Sequence, residues 1–363
     1  MLHSISNKIH NGIRLGLEDG LALLNSDDME GIKALACHVA GKRAGKEVYY
    51  IRNYHLYCSN VCIWKCKFCA FGKKRGSPGA YTKSIHEVID EISGLSGELT
   101  EIRITGGVNP VLDLNYYLAV INFIKTHMPQ VHIEALAPTE IDYLAQLENL
   151  EISEIVSRLK DAGLGSLSAG GAEIFNPDIR SRLCPRKTTG PEWINISRTA
   201  HLSGIPSNAS ILYGHIESYE DRISHLLAIR DLQDETGGFI SFIPLRFLPE
   251  NTGLSYLQAV GDAEALKMIA VCRLILDNFH HIKFLWIYHG IDMGMDALDF
   301  GANDLGGTVG EKERGVARSA GSIADSGVAL SDFKSIIRAK GRIPVERGRL
   351  YSEKQRQVNG QST

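Results

Sequence analysis

Strand-like and helix-like segments alternate along most of this chain, and the alternation limits its fold more than any other feature. The predicted strands are residues 48–57, 101–105, 131–136, 166–169, 207–213, 239–247 and 283–288, with an eighth near 300–303. Helical spacing of apolar residues predicts helices at 85–95, 116–125, 152–162, 192–203, 219–234 and 263–276. This repetition predicts an α/β fold with a parallel sheet, closed or nearly closed into a TIM-type (βα)8 barrel.

The barrel is expected to span residues 47–350 and to follow a helical lead-in. Residues 1–46 form this N-terminal extension, because apolar residues recur at helical spacing between about Gly16 and Ala44. Residues 351–363 are polar and predict a C-terminal tail. With 363 residues, the chain has the size of one such domain.

Charge and hydrophobicity indicate small molecules as the partners. The formal net charge is −3, so the composition gives no sign of binding to nucleic acid or to an anionic membrane. No apolar run reaches the length of a membrane span, and the N-terminal segment MLHSISNKIHNGIR lacks the apolar stretch of a signal peptide. We therefore expect a cytoplasmic protein.

Three cysteines, Cys62, Cys66 and Cys69, stand at Cys-x3-Cys-x2-Cys spacing in CIWKCKFC, directly after the first predicted strand. A [4Fe–4S] cluster normally takes four cysteines, so three ligands leave one iron free for a non-protein group. A zinc site is disfavoured because only one Cys-x2-Cys pair is present. A plain electron-transfer cluster would need a fourth cysteine, and Cys58 is the nearby candidate.

The cysteine loop, with the aromatic Phe68 before its last cysteine, resembles the signature of the radical S-adenosylmethionine (SAM) enzymes. The resemblance implies that the free iron binds the amino and carboxylate groups of SAM. It also implies that one electron from the cluster cleaves SAM into methionine and a 5′-deoxyadenosyl radical.

Motifs after the second and fourth predicted strands match the SAM-binding segments of these enzymes. Gly106 and Gly107 in TGGVNP resemble the segment whose backbone carbonyls accept hydrogen bonds from the SAM ammonium, and glycine allows such close approach. In AGGAEIF, Glu173 is expected to accept the ribose hydroxyls, although it could instead pair locally. Ser168, at the end of the fourth predicted strand, is a further candidate for SAM contact.

Other polar residues near predicted strand ends are candidates for catalysis or substrate binding. They are Glu140 in APTEID, Tyr213 and His215 in YGHIE, Arg246 in LRFLPENT, and Asn303 beside the eighth strand. Tyr213 and His215 could act as acid, base or orienting groups, although a lone histidine is more often structural. Arg246 could hold a carboxylate with two hydrogen bonds or form an ordinary ion pair.

Longer phrases narrow the resemblance. Over residues 48–351, phrases such as GGAEIF, FIPLRFLPENTGL and GRIPVERGRLY resemble the radical SAM enzymes of the futalosine route to menaquinone. Within that group, GANDLGGT and PVERGRLY favour the members that add the adenosyl radical to 3-[(1-carboxyvinyl)oxy]benzoate. For those members SAM is a consumed substrate, and an electron donor such as flavodoxin or ferredoxin is required.

Three alternatives stay open at this point. The first is a cyclase of the same route, which abstracts hydrogen from dehypoxanthine futalosine, and the second is an enzyme that builds the deazaflavin chromophore FO. The third is a non-catalytic iron–sulfur or zinc module. If the substrate carries two carboxylates, the pocket must supply cations, because buried unpaired carboxylates are costly. The candidate cations are Arg180, Arg182, Arg246 and His215.

Overall fold

Parallel strands form a ring in the computed structural model of the chain, which describes residues 2–95, 99–307, 328, 330–348 and 350–351. The strands are β1 (Glu47–Ile51), β2 (Asn53–Tyr57), β3 (Glu101–Thr105), β4 (His132–Ala135), β5 (Ser207–Tyr213), β6 (Phe239–Arg246), β7 (Asp304–Gly307) and β8 (Ile343–Glu346). The helices are α1 (Leu2–His10), α2 (Leu17–Leu24), α3 (Met29–Ala44), α4 (Ile85–Ser93), α5 (Leu114–His127), α6 (Pro138–Glu148), α7 (Ile152–Ala162), α8 (Pro177–Leu183), α9 (Gly190–Leu202), α10 (Tyr219–Thr236), α11 (Asp262–Ile275), α12 (Trp286–His289), α13 (Ile291–Asp299) and α14 (Leu330–Ala339).

Short bridges close the ring between three groups of paired strands. The groups are β2-β3-β4, β5-β6 and β7-β1-β8, and every pair within them is parallel. The bridges are Glu134 to Ser166, Leu167 to Ser207, Phe242 to Ile282 and Lys283 to Asp304. Because β1 and β2 are successive parts of one strand, the ring has eight strand positions. The predicted (βα)8 barrel is confirmed.

Several predicted strands differ from those observed. The strand predicted at 48–57 is interrupted at Arg52, whose carbonyl accepts hydrogen bonds from the backbone of Thr100 and Glu101. The strand predicted at 283–288 is wrong beyond its first residues, because Trp286 begins α12. Its indole instead donates to the Gly307 carbonyl at 3.2 Å. The eighth strand predicted at 300–303 lies later, at β7.

The helices α6, α8, α12, α13 and α14 and the strand β8 were not predicted. Helix α6 starts with Pro138 at its first position, and Glu140 accepts a hydrogen bond from the Ala137 N–H at 2.6 Å. These are ordinary signals for a helix start. Helix α8 follows the fourth strand position, and β8 pairs with β1 outside the ring. The predicted tail lies outside the described residues from position 352 onward.

The N-terminal helices cover one side of the barrel. Helix α3 buries Ile32, Ala36 and Ala40 on one face and packs against α11. Helix α2 packs against α10, and a Cβ on its Gly20 would lie 2.7 Å from the Ile223 side chain, so only glycine allows this approach. None of the helices formed by the described residues has both the length and the apolar composition of a membrane span.

Candidate functional site

The cysteine loop is held in place at the carboxyl end of β2. The Cys62 N–H donates to the Lys73 carbonyl at 3.0 Å, and the Lys67 N–H donates to the Leu183 carbonyl at 2.9 Å. The Asn60 side chain accepts from the Tyr81 N–H at 2.8 Å. Backbone contacts on both sides therefore position the loop over one end of the barrel, where parallel barrels build their sites.

The three loop cysteines line a cavity of about 200 Å³, called here the thiol cavity. Its wall includes the residues expected to bind SAM and one candidate catalytic residue, Glu140, and these come from four different strand ends. They are Phe68, Gly106, Gly107, Glu140, Ser168 and Glu173, together with Cys62, Cys66 and Cys69. The tertiary structure thus brings together groups that are separated by more than a hundred residues in the chain.

Cys58 lies outside the thiol cavity. It is buried in the hydrophobic core under β2, and this burial raises the pKa of its thiol to about 11. Burial also raises the pKa of Cys66, to about 12, so binding of iron would have to displace its proton. Cys58 therefore has the surroundings of a packed core residue, as expected if three cysteines act as ligands.

The thiol cavity suits a cubane cluster by its donor set. Among the described residues, no three histidine, cysteine or acidic side chains converge on a point where one metal ion could bind. A cubane does not need such convergence, because each cysteine thiolate binds a different iron. Three thiols that line one cavity match a cluster that keeps one iron open.

Gly106 and Gly107 allow the cysteine loop to pack directly on the end of β3. A Cβ on Gly106 would lie 2.7 Å from the Ser59 carbonyl oxygen, and one on Gly107 would lie 2.4 Å from that of Val61. The Gly107 N–H donates to the Ser59 carbonyl at 2.8 Å. Real Cβ atoms do not approach so closely, so this segment tolerates no side chain.

Glu173 is paired with Lys187, a residue that the sequence did not single out. Their Oε1 and Nζ atoms are 2.7 Å apart, and the ammonium lies 5.3 Å from the ring centres of both Trp64 and Phe68. Burial alone would raise the pKa of Glu173, but the Lys187 ammonium holds it below its usual value. Glu173 is therefore ionised at neutral pH, so both of its oxygens can accept hydrogen bonds.

A second cavity, of about 400 Å³, extends into the barrel and is called here the barrel cavity. It shares Phe68 and Ser168 with the thiol cavity. Its charged and aromatic wall consists of Arg103, Arg246, His55, His289, Tyr57, Phe71, Phe247 and Tyr288. The two cavities together provide adjoining volumes, one beside the thiols and one for a further small molecule.

Two arginines line the barrel cavity. Arg103 Nε donates to Glu134 at 2.7 Å, in the interior of the barrel. Arg246 Nη1 donates to Asp262 at 2.6 Å, but the Asp262 side chain is 71% exposed, which weakens the pair. The buried Nε of Arg246 has no hydrogen-bond partner in the described part of the chain. Arg246 can therefore still bind an anion.

His55, Tyr57 and Arg103 were missed at the level of sequence. The signal was present, since Asn53, His55 and Tyr57 alternate along β2 and so point to one face of the strand. His55 bonds through Nε2 to Asn53 at 3.1 Å and through Nδ1 to Tyr57 at 3.2 Å. Burial, and then Arg103, lower the pKa of His55 to about 3, so the ring is neutral.

Three predicted catalytic residues are not brought to either cavity. Tyr213 is buried in the core beneath the Arg222 guanidinium, which lies 5.2 Å from its ring centre. His215 Nδ1 lies 2.6 Å from Glu217, and both side chains are fully buried. Asn303 precedes β7 and accepts a hydrogen bond from Arg273 at 2.8 Å, at the amino end of the barrel. These positions correct the expectation that the three side chains face the substrate.

Arg180, expected as a possible carboxylate ligand, has a structural role instead. Its guanidinium donates to the carbonyls of Ala172 at 2.7 Å and Ile174 at 3.1 Å. It thus holds the loop that carries Glu173. Arg182 is exposed on α8 and lines neither cavity.

Glu140 is expected to make the stability of the protein depend on pH. Its side chain is partly accessible through the thiol cavity, but burial raises its pKa to about 7, against the opposing effects of the Ala137 N–H and Lys187. Between about pH 4.5 and pH 7, the folded state keeps this proton and the unfolded state loses it. The contribution of Glu140 to the free energy of unfolding is therefore fully present at low pH and is lost as the pH rises to about 7.

The matched measurement uses Glu140→Gln, which imitates the protonated form. The urea concentration at the unfolding midpoint is measured at about pH 5 and at about pH 7.5. It should fall more between these two pH values in the natural protein than in the variant. An equal change in both proteins would contradict a raised pKa for Glu140.

Comparison with known families and relatives agrees with this geometry. The family described as the radical SAM superfamily matches residues 56–229, and the CofH/MqnC C-terminal region matches residues 236–359. The aminodeoxyfutalosine synthase of Thermus thermophilus is 38% identical over 96% of this chain and 95% of its own length. The aminodeoxyfutalosine synthase of Streptomyces coelicolor is 37% identical over 96% of this chain and 92% of its own length.

A relative with a different name is nearly as similar. The 5-amino-6-(D-ribitylamino)uracil–L-tyrosine 4-hydroxyphenyl transferase of Methanospirillum hungatei is 36% identical over 97% of both chains. Sequence identity alone therefore does not separate the two activities.

Solved structures show the same fold. Methylornithine synthase (PylB) superposes with a TM-score of 0.76 at 20% identity, over 94% of this chain and 97% of that one. The FeFe-hydrogenase maturase HydG from Carboxydothermus hydrogenoformans superposes with a TM-score of 0.74 at 20% identity, over 96% of this chain and 80% of that one. The chain therefore belongs to the radical SAM superfamily, carries the CofH/MqnC C-terminal region, and uses a [4Fe–4S] cluster and SAM.

Proposed function

We propose that this enzyme catalyses the aminodeoxyfutalosine synthase reaction of menaquinone biosynthesis. In this reaction one electron cleaves SAM and methionine leaves; the 5′-deoxyadenosyl group then joins 3-[(1-carboxyvinyl)oxy]benzoate, the aryl group migrates, carbon dioxide is lost, and return of the electron gives 6-amino-6-deoxyfutalosine. The similarity to two aminodeoxyfutalosine synthases over nearly the whole chain supports the proposal.

The charge of the barrel cavity is the observation that carries the proposal. Its described lining contains Arg103 and Arg246 but no aspartate or glutamate. The proposed substrate is a dianion with an aromatic ring, so it needs cationic partners and an apolar wall. The rings of Phe71, Phe247 and Tyr288 supply that wall.

The same observation disfavours the second candidate. The transferase from Methanospirillum hungatei is named for L-tyrosine, whose ammonium group is best paired with a carboxylate when it is buried in a pocket. No acidic side chain in the described part of the chain lines the barrel cavity. A ligand with two carboxylates and no cation suits this wall better.

Each group of residues has a separate task in the proposed reaction. Cys62, Cys66 and Cys69 would hold the cluster, which supplies one electron for the cleavage of SAM when both are bound. Glu173, ionised beside Lys187, would accept hydrogen bonds from the ribose. The apolar rings that line the barrel cavity would limit the access of water to reactive intermediates.

Product analysis tests the proposal. The enzyme is reconstituted anaerobically, reduced, and incubated with SAM and one of three substrates: the carboxyvinyloxybenzoate, dehypoxanthine futalosine, or 5-amino-6-(D-ribitylamino)uracil with L-tyrosine. We expect an adenine-bearing adduct with the first substrate only. Release of 5′-deoxyadenosine alone with that substrate, or a product from either of the others, would contradict the proposal.

Arg246 is expected to contribute strongly to substrate binding. Replacing it with leucine removes a charged donor from the cavity, and a charge-assisted hydrogen bond contributes about 1.5–3 kcal/mol, or roughly 10- to 100-fold in KM. Arg246→Lys should restore part of the effect, since it keeps the charge. The control is Arg158→Leu, which removes an exposed ion pair with Glu154 on α7. An unchanged KM for Arg246→Leu would exclude substrate contact.

A further inference from the structure

We propose that exposed cations around the cysteine loop form the docking surface for an acidic electron-transfer protein, which reduces the cluster. The residues are Lys65, Lys67, Lys73, Lys74, Arg75, Arg182 and Arg186, called here the basic surface. This inference depends on the presence of the cluster and not on which substrate the enzyme uses.

The charge distribution along the sequence is the first observation. Residues 62–86 contain six lysines and arginines and no carboxylate, and residues 179–191 contain four and none. The chain as a whole has a net charge of −3, so the rest of the protein is strongly acidic. Positive charge is therefore concentrated beside the cluster ligands, where an incoming electron must arrive.

Three of these ten cations are internal and do not face a partner. Lys83 pairs with Glu91, Lys187 pairs with Glu173, and Arg180 binds loop carbonyls. The other seven are exposed. Of these, the Lys73 ammonium lies 3.4 Å from the Pro78 carbonyl, within its own loop.

Backbone hydrogen bonds show that the two basic segments are neighbours in space. The Lys67 N–H donates to the Leu183 carbonyl at 2.9 Å, which joins the cysteine loop to the end of α8. The Cys62 N–H donates to the Lys73 carbonyl at 3.0 Å. The exposed cations therefore belong to one surface, and Cys69, itself exposed, lies within it.

An exposed aromatic side chain adjoins this surface. The Gly253 N–H donates to the Lys67 carbonyl at 2.8 Å, and three residues later Tyr256 is 75% exposed. Tyrosine and arginine are enriched in protein interfaces, and aromatic residues often contribute most of the binding energy. One exposed acid, Glu250, lies in the same loop. The combination of a basic surface and an exposed tyrosine suits a protein partner.

The step itself is a one-electron transfer. The reduced flavin or iron–sulfur group of the partner loses one electron, the cluster gains it, and no bond forms or breaks. Opposite charges on the two proteins speed their encounter, and this effect weakens as salt screens the charges. An acidic partner would meet a basic region of a protein whose net charge is negative.

The test compares two reductants on variants with reversed charge. The variant combines Lys74→Glu with Arg182→Glu, two side chains that line neither cavity. The rate of cluster reduction and the binding affinity are measured with a reduced acidic flavodoxin, at low and at high ionic strength. At low salt, we expect the reduction rate and the affinity of the variant to be roughly tenfold lower than those of the natural protein. At high salt, the variant and the natural protein should differ little. Tyr256→Ala should weaken binding at both salt concentrations.

The controls separate docking from damage to the cluster. Photoreduced deazaflavin, a small reductant without the flavodoxin surface, should reduce all variants at the natural rate. Lys42→Glu with Lys46→Glu makes the same change in net charge at the opposite end of the barrel and should have little effect. The proposal would be overturned if the Lys74→Glu/Arg182→Glu variant were slowed equally with both reductants, or if flavodoxin reduced it at the natural rate. It would also be overturned if flavodoxin reduced the Lys42→Glu/Lys46→Glu control equally slowly. Competition by a duplex DNA probe would indicate a nucleic-acid surface and would also overturn it.

Discussion

Replacing Cys66 with alanine is expected to abolish cluster binding and all reductive cleavage of SAM. Each thiolate binds one iron of a cubane, so the loss of one ligand leaves a second iron without a protein partner. The Cys66 side chain lies in the thiol cavity beside Lys187 and cannot be replaced by Cys58, which is buried outside that cavity. Iron and sulfide content after anaerobic reconstitution, the visible absorption of the cluster, and the yield of 5′-deoxyadenosine measure the effect.

Cys58→Ala is the matched control for this experiment. It removes a buried thiol from the core and should lower the free energy of unfolding by about 1 kcal/mol without loss of iron. Similar variants of Cys62 and Cys69 should behave like Cys66→Ala. If Cys58→Ala lost the cluster while Cys66→Ala kept it, the assignment of three ligands would be wrong.

Gly107→Ala is expected to reduce SAM cleavage by roughly two orders of magnitude. The added Cβ would lie 2.4 Å from the Val61 carbonyl oxygen and 2.9 Å from the Cys62 Cβ, so the cysteine loop must move. A displacement of about 1 Å in a reacting geometry can cost about 10²-fold in rate. The rate of 5′-deoxyadenosine formation and the affinity for SAM should both fall, and circular dichroism shows whether the barrel remains folded.

The control is Gly41→Ala in α3. A Cβ at Gly41 meets no atom within 4 Å, and alanine favours a helix over glycine by about 0.5–1 kcal/mol. This variant should be slightly more stable and fully active. If Gly107→Ala kept natural SAM cleavage, the close packing of loop and β3 would not matter for the cluster site.

Motifs with short spacing supplied the cysteines and glycines that the structure brings to the thiol cavity. The three cysteines lie within eight residues of chain, and Gly106 and Gly107 are adjacent, so local sequence shows which groups act together. The structure brings them to one cavity with Glu140 and Glu173. The predictions for Tyr213 and His215 relied only on their place near a strand end. A strand end presents side chains to both faces, and here these two point into the core and an internal ion pair.

Asn303 illustrates how an error of a few residues in a predicted strand boundary changes the expected role of a residue. The eighth strand was predicted to end near this position, which would place Asn303 at the carboxyl end of the barrel. In the structure β7 begins at Asp304, so Asn303 lies at the opposite end and bonds to Arg273. The direction in which a residue faces depends on strand boundaries, and boundaries depend on pairing with neighbours.

By itself, the sequence determined the alternation that closes the barrel, the three-cysteine loop and the glycine pair that lets this loop pack, because each depends on residues close together in the chain. Only the tertiary structure decided which charges meet. It pairs Lys187 with Glu173, leaves Arg246 facing the barrel cavity, and gathers two basic segments around the cysteines. Such contacts join distant residues through strand register and helix packing, and no local pattern specifies them.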